Sequence, residues 1–571
     1  MTQTQPLRIV IVGGVAGGAS AATRARRCNE HAQITLLEKD EYVSFANCGM
    51  PYHIGGEITD RARLLVASAA LLRTRFNIDV RERCEAISID RSAHTIRIRN
   101  LVNGSETELE WDRLILSPGA APFVPPVPGV DAAGVFTLRN IADMDRITAA
   151  VATPAESPTN VRRAVVVGAG FIGLELVEQL ARRGFEVALV EQQTQVLPPL
   201  DPEIAAALHE ELIRHNVKLH LGSGLRQVLV QHGSASGVEL SNGQQVPGST
   251  IILGLGVRPN VRLAADAGLQ LGRTGGILTN RFHQTSDPQI YAVGDAAEYF
   301  CEPASQWARV PLAGPANRAG RLAGQHAATG RAEPAAPVLG TAILRVFDVA
   351  AGMTGLTVKA ARRAGFDCRS ATVIAGQHAG YFPGASPVTL KVVYEASSGA
   401  VLGAQATGRE GVDKRIDVVA TAIRFKATVR DLAGLDLAYA PPYGSAKDPV
   451  HQAAFVACNE LDGLARTLDA DASLAGFQVV DVRSAAEVDK MPLPGLHGAL
   501  SVCNIPVDEL RDRLHELNQA LPTVVSCGVG VRGHVAQRIL LQHGFQTVFN
   551  LTGGATLRRR AVPDSDHSAG R

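Results

Sequence analysis

The chain has 571 residues, 46% of them hydrophobic and 19% charged, with a formal net charge of +1. That length exceeds what one hydrophobic core supports, so three or four domains are expected. The balanced charge gives no reason to expect nucleic acid or an anionic membrane surface as partner, and no apolar stretch of about 18 residues reads as a membrane span. The first residues, MTQTQPLRIVIVGG, enter a strand without a basic and then apolar leader, so a cytoplasmic location is expected. Eight cysteines, at 28, 48, 84, 301, 368, 458, 503 and 527, follow neither a disulfide framework nor a zinc spacing. Free thiols and no metal site are expected.

In chain order, LRIVIV (7–12) is an apolar run suited to a buried parallel strand. GGVAGGASAATRARR then makes a turn and a helix. Gly13 permits the tight turn, Ala16 is small enough for a close phosphate, and Gly18 lets helix and strand approach. The next strand, QITLLEK, ends on Glu38, a carboxylate suited to accepting ribose hydroxyls. SFANCGMPY (44–52) follows, and places Cys48 between an amide side chain and a glycine. The next cysteine is Cys84, so Cys48 has no local dithiol partner and must find its redox partner outside the motif. Such a cysteine works as a thiolate. An ordinary thiol titrates near about 8.5, and lowering it by about two units would favour the anion by about 2.7 kcal/mol. Amides of the turn and a helix starting at Gly49 are expected to supply part of that.

WDRLILSPGA (111–120) reads as a strand ending in a turn of small residues. The dinucleotide pattern then recurs: AVVV (164–167) leads into GAGFIGLELVEQLARRG, with Gly168, Gly170 and Gly173 at the fingerprint positions. The strand EVALVEQ ends on Glu191, a residue type that accepts the 2′-hydroxyl of NADH and repels a 2′-phosphate. TSDPQIYAVGDAAE is a strand ending on Gly294-Asp295, and PLAGPANRAGRLAGQHA (311–327) is a helix opened by Gly314-Pro315. Residues 341 to about 440 alternate strands such as PVTLKVVYE with one long helix, DKRIDVVATAIRFK. A composition break follows YAPPYGSAKDPV, and 459–475 is expected to be a short helical connector. FQVVDVRSAAEV then ends a strand near Asp481, and TVVSCGVGVRGHVAQRILLQHG delivers Cys527 to a loop that turns straight into a helix. Successive amides from Cys527 and Gly528 through Gly530 to Arg532 would form a nest around the sulfur. The other cysteines read as small buried hydrophobes, and the polar tail as disordered.

Over residues 7 to 455 these motifs resemble the two-dinucleotide flavoprotein disulfide reductases, and the C-terminal Cys-x-x-Gly-x-Arg loop resembles a rhodanese domain. The implied architecture is α/β throughout. It has an FAD-binding domain in two parts (1–150 and 281–335), an NAD(P)H-binding domain (151–280), an α+β dimerisation domain (336–455), a linker (456–473), a rhodanese domain (474–562) and a tail (563–571). The resemblance implies FAD contacts at Gly13, Ala16, Gly18, Glu38, Lys39, Asn47, Gly119, Asp295 and Pro315, with Asp295 on the ribityl chain and the helix after it aimed at the flavin pyrimidine ring. It implies NAD(P)H contacts at Gly168, Gly170, Gly173, Glu191 and Gly256. Phe171 matches either an aromatic gate over the nicotinamide or a core phenylalanine.

SFxNCGxPY matches the single-cysteine branch of that family, which holds NADH oxidases, NADH peroxidases and coenzyme A-disulfide reductases. Oxidases and peroxidases usually carry a histidine in the first glycine loop, and Ala16 stands there, which weakens a sulfenic acid cycle on peroxide. The coenzyme A reading implies a mixed disulfide on Cys48, with coenzyme A contacts at Ser20, Arg24, Arg27, Ser44, Asn47, Asn317 and Lys447. Tyr381, with Tyr439 or its neighbour Tyr443, is implied to reach the cysteine from the other subunit of a homodimer. Arg532 is expected to bond back to Asp481. The expected function is thus an FAD-dependent NAD(P)H reductase of coenzyme A disulfide, coenzyme A persulfide or polysulfide, with Cys527 handling sulfane sulfur. The alternatives are an NADH oxidase or peroxidase, and a non-catalytic coenzyme A redox sensor.

Overall fold

The computed structural model describes residues 5–152 and 161–562; of the polar end RRRAVPDSDHSAGR expected to be disordered, 558–561 close a helix, Gly554–Ala561, and 563–571 lie outside the described residues. Two compact units emerge, one of residues 1–194 and 215–340, the other of residues 195–214 and 341–571.

The first unit holds two five-stranded parallel sheets. One has the strand order Ile290–Ala292, Arg113–Leu116, Arg8–Val12, Gln33–Leu37, Asp79–Arg81. The other runs Lys218–Leu221, Glu186–Glu191, Arg163–Val167, Thr250–Leu253, Val135–Phe136. Their central strands are apolar on both faces because both are covered, one by helices and the other by a three-stranded antiparallel sheet: Ile9, Ile11, Val165 and Val166 are fully buried. Helix α1 (Ala16–Cys28) follows the first glycine turn, and the short α2 (Met50–Gly55) follows Cys48. Helix α3 (Phe171–Arg182) follows the second glycine turn, and α4 (Ala313–Thr329) begins just before Gly314-Pro315.

The glycine spacings have a steric cause. Gly13 has φ +92°, and a Cβ there would lie 2.1 Å from the Ser117 carbonyl oxygen; a Cβ on Gly18 would lie 1.7 Å from the Gly13 carbonyl oxygen. The second unit of the pair repeats the device, with Gly173 facing the Gly168 carbonyl oxygen at 1.9 Å from the position of a Cβ. Helices α1 and α4 pack so closely that a Cβ on Gly320 would sit 2.1 Å from the Gly17 carbonyl oxygen.

The second compact unit contains an antiparallel sheet in the order Ala342–Val346, Val349–Gly355, Val401–Gly408, Pro387–Glu395, Cys368–Gly376, with α5 (Val412–Arg424) and α6 (Pro449–Leu461). It also contains a parallel sheet in the order Arg466–Leu468, Val548–Leu551, Thr523–Ser526, Gln478–Asp481, Ser501–Asn504, with α7 (Val531–Gln542) after the Cys527 loop. Here the structure differs from the sequence expectation. The stretch expected to be a helical connector has its helix end at Leu461, and Arg466–Leu468 is an edge strand of the C-terminal sheet. Three residues paired on one side only show too little alternation to be read as a strand.

Candidate active site

Both glycine turns place a helix N-terminus without a competing group. The residues before α1 and α3, Val15 and Gly170, give no side-chain cap, and neither first turn carries an acid. Their free amides and positive dipole ends are therefore left for a pyrophosphate. The strand-end carboxylates are held in the same way in both. Glu38 accepts from the Gly14 amide at 2.7 Å and the Asp40 amide at 2.9 Å, while Glu191 accepts from Ala169 at 2.8 Å and Gln193 at 2.9 Å. Each carboxylate is thus fixed beside its glycine loop with further lone pairs for ribose hydroxyls. Burial raises the Glu38 carboxyl above its ordinary range, opposed by those amides and by the nearby Arg139 charge.

Asp295 lies in a single turn, Gly294–Ala296, directly after the strand Ile290–Ala292. Burial raises its carboxyl too, and Arg139 again opposes the shift. No motif in the sequence singles out Arg139. Gly119 makes room for it, since a Cβ there would lie 2.3 Å from its Nη2. Helix α4 begins at Ala313 with no side-chain cap on Leu312 and a buried Pro315 in its first turn. The set fits a flavin dinucleotide, and FAD when bound would relay an electron pair from nicotinamide to a sulfur. Lys39 pairs with Glu85 at 3.0 Å. Gly256 has φ +89° with open space around the position of a Cβ. Phe171 is half-buried at the first position of α3.

Among the eight cysteines, all free, Cys48 is the one that is exposed. Ser44, at φ 48°, donates its amide to the Gly14 carbonyl at 2.8 Å, tying this loop to the first glycine turn. Gly49 lets Leu64 pack close, since a Cβ there would lie 2.6 Å from Leu64 Cδ2 and the leucine would have to shift. Helix α2 is anchored onto α3: Tyr52 Oη donates to Glu175 at 3.2 Å, Arg183 Nε to the Ile54 carbonyl at 2.9 Å, and Gln179 Nε2 to Glu57 at 2.8 Å. Glu175 is a second residue missed from the sequence, although its four-residue spacing from Phe171 puts both on one face of α3.

The expected lowering of the Cys48 pKa is not what the polypeptide supplies. Crowding of the thiol by protein atoms behind it, then the Glu175 and Asp295 charges, hold it above its ordinary value. Its own amide, which also bonds Asn47 Oδ1 at 3.1 Å, opposes that rise only in part, and α2 has only six residues to offer as a dipole. The other cysteines divide more finely than expected: Cys84 and Cys368 are buried, while Cys28, Cys301, Cys458 and Cys503 are half-buried.

Several residues expected at a coenzyme A site meet at the α1–α4 contact. Ser20 Oγ donates to Asn317 Oδ1 at 2.7 Å, and Arg24 Nη2 donates to Gln325 Oε1 at 2.5 Å. Arg27, exposed one turn on, donates back to the Thr23 carbonyl at 3.0 Å. In the second unit the Tyr381 and Tyr439 hydroxyls lie 3.0 Å apart, so it is Tyr439 rather than Tyr443 that joins Tyr381. The fully buried Arg415 binds Asp448 at 2.6 Å and the Gln377 carbonyl at 2.7 Å, and the Ala379 amide donates to the Gly444 carbonyl at 2.9 Å. These bonds hold together the loops carrying Tyr381, Tyr439 and the exposed Lys447.

At the C-terminal loop, Cys527 is 1% exposed and its Sγ accepts the Gly530 amide at 3.1 Å. Gly530, at φ +101°, turns the chain into α7. The expected bond from Arg532 to Asp481 is absent. Asp481 is taken by the buried Arg483, with Nη2 to Oδ2 at 2.6 Å, and Arg532 instead forms a two-pronged pair with Glu487 at 2.6 and 2.8 Å. Arg483 is closer along the chain and equally buried, so it wins the carboxylate. Asn550 and Ala555 complete the cradle, donating to the Gly530 carbonyl at 3.0 Å and the Cys527 carbonyl at 2.7 Å.

Among the described residues no helix is long and apolar enough to cross a membrane. Residues 7–320 match the pyridine nucleotide-disulphide oxidoreductase family, 341–449 its dimerisation domain and 462–557 a rhodanese-like domain. The chain is 33% identical over 450 residues to a coenzyme A disulfide reductase of Staphylococcus aureus, covering 79% of this chain and 99% of the relative. It is similar to the structure of reduced Bacillus anthracis CoADR-RHD, with TM-score 0.90, 42% identity and 98% of each chain covered. It is also similar to a NAD-dependent persulfide reductase from A. fulgidus, with TM-score 0.89 and 36% identity over 96% of this chain and 100% of that one. The chain belongs to the pyridine nucleotide-disulphide oxidoreductases, and is a flavin-dependent NAD(P)H reductase with a C-terminal rhodanese domain.

Proposed function

We propose that the protein reduces coenzyme A disulfide or coenzyme A persulfide through a mixed disulfide on Cys48, with Cys527 supplying sulfane sulfur. The observation that carries this reading is that Cys48 is the one exposed cysteine and has no disulfide partner. A lone nucleophilic sulfur needs its second sulfur from the substrate. Cys48 thiolate attacks the sulfur bonded to coenzyme A, the Cys48–S–S–coenzyme A bond forms, and hydrosulfide or the second coenzyme A thiolate leaves. Two electrons and one proton then return Cys48 thiolate and free coenzyme A thiol. Ser20, Arg24, Arg27, Ser44, Asn47, Asn317 and Lys447 are assigned to coenzyme A. Tyr381 and Tyr439 are assigned to the proton balance of the departing thiolate in a second copy, in keeping with the match to a dimerisation domain. The hydrogen bond with Tyr439 raises the Tyr381 phenol above its ordinary value.

At the rhodanese loop, Cys527 would take sulfane sulfur from a polysulfide and pass it to the coenzyme A thiol. The Gly530 amide on Sγ supports a thiolate there. The names of similar proteins, one a coenzyme A disulfide reductase and one a persulfide reductase, agree with both halves of this reading. NADH is the assigned donor because Glu191 ends its strand beside the second glycine loop. The test compares Cys48→Ser and Cys527→Ser on coenzyme A disulfide, coenzyme A persulfide and polysulfide. Cys48→Ser should abolish NADH-dependent reduction of both the disulfide and the persulfide, while Cys527→Ser should spare the disulfide and impair polysulfide use. Equal loss on every substrate would sink the division of labour.

A further inference from the structure

We propose that the first unit carries a pocket for a small monocarboxylate with an apolar body, beside the flavin set, with which it shares Pro315, on the side of α4 formed by Pro315, Arg318, Ala319 and Leu322. The pocket has a volume of about 80 Å³. Its walls are apolar and aromatic, with Phe300 and Trp307 packed edge to face at 5.6 Å between ring centres, and Val338 beside them. The imidazole of His283 is part of the lining and is 4% exposed, and its Nδ1 has no hydrogen-bond partner among the described residues. Leaving a buried polar group unpaired is unfavourable, so an occupant able to bond it is favoured. Burial pushes the ring down to about 4, so it is neutral at physiological pH and can donate or accept.

The charge around this cavity has one sign. Arg318 and Arg281 line it, and no aspartate or glutamate does. Arg281 is already committed, since its Nε and Nη2 donate to the Ala335 carbonyl at 3.2 and 2.9 Å. Arg318 is exposed and forms no ion pair among the described residues, which leaves its planar fork to meet a carboxylate in two-pronged geometry. A cationic mouth, aromatic walls and a neutral hydrogen-bonding group together select a short carboxylic acid anion over an inorganic one, whose whole surface needs polar partners.

Trp307 makes the test direct. The chain has two tryptophans, and the other, Trp111, is fully buried against His94. Butyrate titrated into the flavin-loaded enzyme should change tryptophan emission saturably, and Trp307→Phe should remove the response. Arg318→Gln should weaken apparent affinity at least tenfold while leaving flavin content and melting temperature unchanged. 1-Butanol and inorganic phosphate should each bind at least tenfold more weakly than butyrate. Absence of a saturable response, as for a pocket that holds only water, would overturn the proposal. So would an Arg318→Gln enzyme that binds butyrate unchanged, or phosphate binding as well as butyrate.

Discussion

Cys48 sits among carboxylates, and that governs how its reactivity must depend on pH. Burial raises the thiol most, and the Glu175 and Asp295 charges add to it, so its proton is lost only above the ordinary range while the site stands alone. Removing one like charge lowers that barrier. Glu175→Gln should move the pH profile of Cys48 alkylation to lower pH, measured by iodoacetamide trapping and mass spectrometry; an unmoved profile would show that the Glu175 charge does not act on the sulfur. Glu487 behaves in the opposite sense. Arg532 holds its carboxyl down to about 2, so the pair is intact above the ordinary carboxylate range and is lost as the pH falls from about 4.5 towards 2. Acid titration followed by NMR should therefore find Glu487 still ionised at pH 4, and Glu487→Gln should leave Arg532 free to move without exposing Cys527. The motif spacing makes Arg532 legible but not its partner. Asp481 and Glu487 are both plausible acids in the chain, and only the packing of Arg483 decides between them.

The glycine-turn helices were readable as elements because their spacing answers a steric demand that any sequence must meet. Gly13, Gly18, Gly168 and Gly173 each face a carbonyl oxygen too near for a Cβ. The close contact of α1 with α4 has no such signature, because Gly320 and Gly324 lie in a run that reads only as a small-residue helix. Gly320→Leu should destabilise the first unit by about 1–3 kcal/mol and lower flavin retention, as measured by denaturant unfolding with flavin fluorescence. The loops that carry Tyr381 and Tyr439 depend on Arg415 in the same hidden way. Its guanidinium and Asp448 are 1% and 4% exposed, and removing one partner leaves the other charge buried. Arg415→Met should cost about 3–5 kcal/mol in chemical unfolding, far more than a surface pair would. The edge strand Arg466–Leu468 was illegible for a different reason, being too short for a period to show.

At the scale of the whole molecule, chemistry is divided between an exposed thiol with no disulfide partner and a buried thiol that accepts the Gly530 amide. If Tyr381 and Tyr439 serve a second copy, dilution to monomer should suppress disulfide turnover while bleaching of the flavin by NADH persists; equal loss of both would detach the tyrosines from the site. The central claim is that Cys48 is one half of a mixed disulfide with coenzyme A. It is tested most directly by the intact mass of denatured protein after incubation with coenzyme A disulfide, before and after thiol reduction. The account predicts loss of one coenzyme A per chain on reduction for the wild type and for Cys527→Ser, and none for Cys48→Ser. Coenzyme A retained by Cys48→Ser, or a Cys48 found only as an oxygen adduct, would contradict it.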